Sequence, residues 1–349
     1  GLWRPAASAW ARPGSRSRHP GGRPLPPLGT CVMGQSAPSR EFHSNYSVGK
    51  LLGKGSQGRV HVCVDRRDGT ERAVKIIDRS TKSAWDAYRR EVDMCSAVTS
   101  RNVMALVEEF VDQSYCYVVM EKFEGHLRKA LKWASKQRAA QGQPEKAVMH
   151  GPELQRILRQ VVVGISHIHK TCIVHRDVKA HNIMTDRLDL ADPQCRVVLG
   201  DLGLARKLEH GHFLSAQVGT RKYWAPELYT KKYWHLVDMF AVGVLLFLVT
   251  LAQYPYQDEQ ETRTRDVFAE GLVPEDYPAD QRDFLRLCLD KDPSKRPTAE
   301  EALNHPWLRQ EPEQEEEAPN TQRSVFKVVG FGPRMRLPTP VPKPMADEA

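Results

Sequence analysis

The 349-residue chain has no paired cysteines, no apolar stretch of membrane-spanning length and no internal repeat. Its seven cysteines stand singly at positions 31, 63, 95, 116, 172, 195 and 288, and none forms a C-x-x-C pair. This excludes a zinc motif and a disulfide framework, and fits the reduced thiols of a cytoplasmic or nuclear protein. The longest apolar run, residues 240–252, is 13 residues long. A bilayer needs about 20, so the run reads as a buried helix and no transmembrane segment is expected. The lack of a repeat removes solenoids and propellers. With 40% hydrophobic and 27% charged residues, wholesale disorder is also out.

Positive charge is plentiful but badly distributed. The net charge is +8; residues 1–40 carry six arginines with no lysine and no acid, and residues 309–349 carry six basic and seven acidic residues, which leaves +3 for 41–308. A nucleic-acid-binding domain concentrates its charge on a folded surface; here the excess lies in an arm, and no nucleic-acid partner is expected.

The chain divides in three. Residues 1–44 are rich in Pro, Gly, Arg and Ser, without apolar periodicity, and read as a disordered basic arm. The first residue is Gly1 rather than Met, which reads as a fragment, a processed product or an upstream-extended translation. Within the arm, Met33-Gly34-Gln35-Ser36-Ala37-Pro38 resembles a myristoylation start but has Pro38 where Ser or Thr belongs. An Arg-rich, acid-free start also fits organelle import, against which the prolines count. Arg23-Pro24-Leu25-Pro26-Pro27 resembles a peptide for an SH3-type partner, with a plain polyproline linker as the simpler reading. Residues 45–308 alternate β-rich and helical segments. Strands are expected at 51–59, 60–65, 72–77, 104–110 and 115–121, and a helix at 83–98. After 127, helices are expected at 153–170, 236–252, 279–289 and 298–303, with 132–150 as a polar loop. Strands first and helices after predict an α+β protein with a small β lobe (45–121) and a larger helical lobe (124–308). Residues 309–349 read as a disordered tail, acidic at 311–317 and then Pro-rich.

Three motifs carry chemistry. Gly53-Lys54-Gly55-Ser56-Gln57-Gly58-Arg59-Val60 is a glycine loop whose amides can approach phosphate oxygens. A β-branched run follows it, not the helix a dinucleotide fold requires, so the loop is a hairpin tip. In Ala73-Val74-Lys75 the lysine shares a strand face with Ala73, and Glu91 in the following helix is the carboxylate that would hold it extended. In His175-Arg176-Asp177-Val178-Lys179-Ala180-His181-Asn182, Asp177 can accept a proton, Lys179 can hold a phosphoryl group and Asn182 can ligate Mg²⁺ through its amide oxygen. Asp201, before the Gly203 turn, offers a second metal ligand.

In this order the motifs resemble the eukaryotic protein kinase family across about residues 46–308, together with Leu202, Ala225-Pro226-Glu227, Asp238, Gly243 and Arg296. The resemblance implies a bilobal fold and a serine/threonine kinase using ATP and Mg²⁺ (or Mn²⁺) on protein substrates. Lys75 and Glu91 would place the ATP phosphates, Asp201 and Asn182 would hold the metal, Asp177 would be the base and Lys179 would steady the γ-phosphate. The resemblance puts Leu52, Gly53, Gly55, Gly58, Val60, Ala73, Met120, Glu121, Phe123 and Met184 around the nucleotide. Cys95, Leu106, Leu202 and His175 match a column of side chains between the lobes. Glu227 with Arg296 would be a buried ion pair, and Asp238 would anchor the catalytic loop.

Lys179 and Thr220 resemble the serine/threonine-specific pattern. Arg176 before the base suggests control by an upstream kinase, with Ser215, the one hydroxyl between Leu204 and Thr220, as the phosphosite. His181 and Leu248 stand where kinases directed to basic peptides often have Glu, which argues against an arginine-directed substrate. Residues 186–194 are expected to form a polar hairpin. The ending Ala302-Leu303-Asn304-His305-Pro306-Trp307-Leu308 resembles the calcium/calmodulin-dependent group, though an acidic run follows it. The alternative is a pseudokinase scaffold, against which the full set of catalytic residues counts.

Overall fold

The computed structural model describes residues 40–55, 58–142, 148–209 and 211–309. The readings made on residues 1–39, on 310–349 and on the glycine-loop tip 56–57 lie outside the described residues.

The small lobe is a five-stranded antiparallel sheet: β1 (Tyr46–Gly55), β2 (Gly58–Asp65), β3 (Glu71–Asp78), β4 (Leu106–Val111) and β5 (Tyr115–Glu121), in spatial order β1-β2-β3-β5-β4. Register sorts its faces. Val60 pairs with Lys75, Ala73 with Met120 and Lys75 with Val118, and opposed residues of an antiparallel pair share a face. Val60, Ala73, Lys75 and Met120 therefore line one face, while Val74, paired with Val119, points to the other. Helix α2 (Lys82–Ser96), capped by the Thr81 side chain, packs Tyr88 and Val92 against Ile77, Cys116 and Val118.

The opposite face is closed by α1 (Arg40–Asn45), a helix within the arm expected to be disordered. Phe42 is fully buried and stacks on Tyr117 with ring centroids 4.2 Å apart. One buried aromatic, worth several kcal/mol of transfer free energy, pins a six-residue helix that its local sequence would not hold alone.

The large lobe follows β6 (Gly125–His126). It contains α3 (Leu127–Ala140), α4 (Gly151–Lys170), β7 (Ile173–Val174), β8 (Ile183–Thr185), β9 (Val197–Leu199), β10 (Arg206–Lys207), α5 (Pro226–Tyr229), α6 (Leu236–Leu251), α7 (Glu259–Thr264), α8 (Ala279–Cys288) and α9 (Ala299–Leu303). The apolar run is α6, buried on nearly every side, which explains its all-round hydrophobicity. No helix of the described residues is long and apolar enough to cross a membrane.

A second expectation is overturned here: residues 132–140 are helical, not loop. Leu127, Ala130, Leu131 and Ser135 form the buried stripe of α3. Its small and polar members weaken the apolar period that would have revealed it.

Candidate functional site

Between the lobes, Lys75 Nζ lies 2.6 and 2.8 Å from the Glu91 carboxylate oxygens and 3.8 Å from Asp201 Oδ1. Burial disfavours the ammonium, but the Glu91 and Asp201 carboxylates outweigh it and hold the Lys75 pKa above the ordinary lysine value. The lysine is thus a fixed positive charge. Val60, opposite Lys75, and Ala73 form the roof beside it. Met104, Phe123 and Val198 cluster with Met120 and Met184. Leu52 is exposed on β1. The Glu121 carboxylate is bonded to Arg196, whose guanidinium sits 5.2 Å over the Phe123 ring. Gly53 and Gly55 fall at the end of the β1–β2 ladder, where Gly55 pairs with Gly58. A Cβ on Gly58 would lie 2.4 Å from the Ile76 carbonyl oxygen, so that strand crossing admits only glycine.

The loop after β7 is held from below by α6. The buried Asp238 accepts from the amides of His175 and Arg176, both at 2.8 Å, and from His169 Nε2 at 2.9 Å. Burial alone would raise its pKa; the histidines and the donated N–H groups more than offset this and keep the carboxylate charged. Above this anchor, Asp177 Oδ2 accepts from Lys179 Nζ at 2.6 Å and Asn182 Nδ2 at 3.0 Å, while Oδ1 accepts from Thr220 N and Oγ1 at 2.9 and 2.8 Å. Lys179 Nζ also donates to Thr220 Oγ1 at 2.9 Å. Gly219 permits this approach: its φ is +93°, and a Cβ there would sit 2.2 Å from the Arg176 carbonyl oxygen.

Asn182 and Asp201 are tied together by the Gly200 N–H, which donates to the Asn182 carbonyl at 2.7 Å. Asn182 Nδ2 donates to the Asp177 carbonyl and carboxylate, which leaves its Oδ1 able to accept. Asp201 adopts φ +56°, a left-handed conformation uncommon for a non-glycine residue, and its side chain is 52% exposed towards the cleft. Two oxygen donors suit a hard cation that completes its shell with water and phosphate oxygens; among the described residues no cluster of three or more His, Cys, Asp or Glu could hold a metal unaided.

Other predicted positions sort clearly. Glu227 and Arg296 form a bidentate pair at 2.5 and 2.8 Å with Arg296 fully buried. Cys95 and Leu202 belong to one apolar cluster, while Leu106 lies in the adjoining one with Val92 and Met120. His175 Nε2 lies 3.0 Å from the Gly200 carbonyl. Ser215 is exposed, and Arg176 is bonded to the Leu204 carbonyl and, at 3.1 Å, to the Tyr233 hydroxyl. The polar connection between β8 and β9 is braced by Arg187 against Asp186 and Asp192.

Sequence reasoning missed four participants. Tyr233 links Arg176 to the Ala216 carbonyl at 2.6 Å; Arg206 lies within the electrostatic reach of both Arg176 and Arg90; His169 completes the Asp238 anchor. All act across long sequence separations and carry no local signal.

Residues 46–308 match the family model described as "Protein kinase domain". Relatives include the serine/threonine protein kinase OSK3 of Oryza sativa, 29% identical over 278 residues (77% of this chain, 51% of the relative). The SNF1-related protein kinase catalytic subunit alpha KIN12 of Arabidopsis thaliana is 28% identical over 271 residues (76% and 51%). Calcium-dependent protein kinase 34 of the same plant is 29% identical over 317 residues (85% and 56%). The chain spans about half the length of these curated relatives. With Lys75, Asp177, Asn182 and Asp201 gathered as described in a domain matched over residues 46–308, the chain belongs to the protein kinase family.

Proposed function

We propose that the protein is a serine/threonine kinase that moves the γ-phosphoryl group of ATP to hydroxyls of protein substrates. The observation that supports this reading best is the environment of Asp177. Its carboxylate faces a threonine hydroxyl at 2.8 Å, the type of group a substrate serine or threonine would present, and beside it stands the Lys179 ammonium. In this reading Asp177 accepts the hydroxyl proton and Lys179 meets the charge on the transferring phosphoryl group. Lys75, held by Glu91, positions the phosphates. Asn182 Oδ1 and Asp201 hold a Mg²⁺ ion, which when bound neutralises phosphate charge. Val60, Ala73, Met120 and Met184 wall the adenine, with the backbone of Glu121 and Phe123 at its edge.

The reading is tested by Mg²⁺-ATP-dependent labelling of a generic protein, with Lys75→Met and Asp177→Asn as controls checked for folding. Labelled serine or threonine in the native protein and its loss in both variants supports the reading. A native protein that binds nucleotide yet labels nothing supports a pseudokinase scaffold.

Activation-segment control belongs to the same proposal. Arg90, Arg176 and Arg206 lie close enough that burial and then the other two guanidiniums lower the Arg206 pKa, a concentration of positive charge that favours an anion. Ser215 adjoins Ala216, whose carbonyl is linked through Tyr233 to Arg176. Phosphorylation of Ser215 by an upstream kinase would place a phosphate beside this group. Undiminished activity of a Ser215→Ala variant, measured against fully phosphorylated native protein, removes this part alone.

A further inference from the structure

The surface beside Asp177 is strongly basic and largely uncompensated. Helix α3 contains Arg128, Lys129, Lys132, Lys136 and Arg138 and no acidic residue. Its start is fixed to the catalytic loop: the Arg128 amide donates to the Ala180 carbonyl at 3.3 Å. His126, at the cap of α3, packs its ring 4.9 Å from that of His181, the residue before Asn182. Arg128 and Lys132 are exposed and lie four residues apart on one helix face, and among the described residues neither forms an ion pair or a side-chain hydrogen bond. Like charges so spaced repel and weaken a helix.

The charges converge on the place where a substrate must lie. Burial and then the positive charges of Arg128, Lys179 and Lys132 lower the His181 pKa, while Asp177 acts in the opposite sense. Burial, His181, Lys129, Arg128 and Lys132 act in the same sense on His126. Arg128 is also felt by Tyr223, in the segment that follows Thr220. The cations of α3 therefore face the loop that carries Asp177. Asp177 is itself engaged by Lys179, Asn182 and Thr220.

We propose that the basic rim formed by Arg128 and Lys132 selects protein substrates with anionic side chains flanking the acceptor hydroxyl. The inference rests on the kinase reading and adds the substrate class to it. An acidic flank pairs with Arg128 and Lys132 and relieves their mutual repulsion; a basic flank adds to it, so the rim both attracts and excludes. The anion can be Asp, Glu or a phosphorylated residue, since each offers a guanidinium or ammonium the same oxygen acceptors.

The test uses the full chain with Mg²⁺-ATP and four serine peptides identical except for acidic, phosphorylated, neutral or basic flanks. The acidic or phosphorylated peptide is expected to exceed the neutral one in kcat/KM by about tenfold, the summed effect of two or three exposed ion pairs. The basic peptide falls below both. In the Arg128→Glu/Lys132→Glu double variant the acidic-to-basic ratio inverts, with the change in KM rather than kcat. Because the ratio is taken within one preparation, partial misfolding cannot produce the inversion. Phosphorylation of all four peptides at equal rates, or an unchanged ratio in the variant, overturns this inference and leaves the kinase reading intact. Phosphorylation of none, and of no generic protein, removes both.

Discussion

Two carboxylate–cation pairs hold the two lobes, and they differ in what surrounds them. Glu227–Arg296 lies inside the large lobe with the arginine fully buried, and Arg296 also donates to the carbonyls of Asp290 and Lys291. Lys75–Glu91 joins a strand to a helix at the wall of the cleft, beside the half-exposed Asp201. The first has no access to anything but protein, so its chemistry is spent on architecture. The second borders a space that water or a polyanion can enter, so its cation can take a new partner. The same pairing is therefore sealed in one lobe and open to a new partner in the other.

This contrast can be broken by four measurements. The largest stability loss is expected for Arg296→Met, which strands a buried carboxylate: about 3–5 kcal/mol by denaturant unfolding. Lys75→Met should lower phosphoryl transfer by at least ~10²-fold while costing less stability, about 1–2 kcal/mol, because water at the cleft can solvate Glu91. Equal destabilisation by the two variants would erase the distinction. Third, His169→Ala removes one of three donors to Asp238 and should cost about 1–2 kcal/mol. The folded-state pKa of Asp238 is depressed, so its contribution is present above the ordinary carboxylate range and lost as pH falls through the depressed value. The variant should thus show acid unfolding at a higher pH than the native protein. The smallest effect is expected for Tyr233→Phe, about 0.5–1.5 kcal/mol. Its readout is faster amide exchange around residues 214–217, whose link to Arg176 it cuts.

The loop around Asp177 was legible because Asp177, Lys179 and Asn182 meet within one short turn, and residue types set at fixed spacing leave a local trace. Lys75 and Glu91 were legible for a related reason: strand alternation and a helix face set their directions. Helix α1 was hidden because the burial of Phe42 under Tyr117, not the propensity of residues 40–45, holds it. Helix α3 was half hidden because its inner face includes Ala130 and Ser135, and its outer face is a run of cations that resembles a solvated loop. Tyr233 was invisible, since nothing in its neighbourhood announces a partner 57 residues away.

The most direct test is single-turnover transfer from Mg²⁺-ATP to a serine peptide by native protein and by Asp177→Asn, with nucleotide binding measured in parallel. The account predicts phosphoserine formation that falls by about 10²–10⁴-fold in the variant while nucleotide affinity is kept. Transfer by the variant at the native rate, or nucleotide bound by the native protein without any transfer, would contradict it.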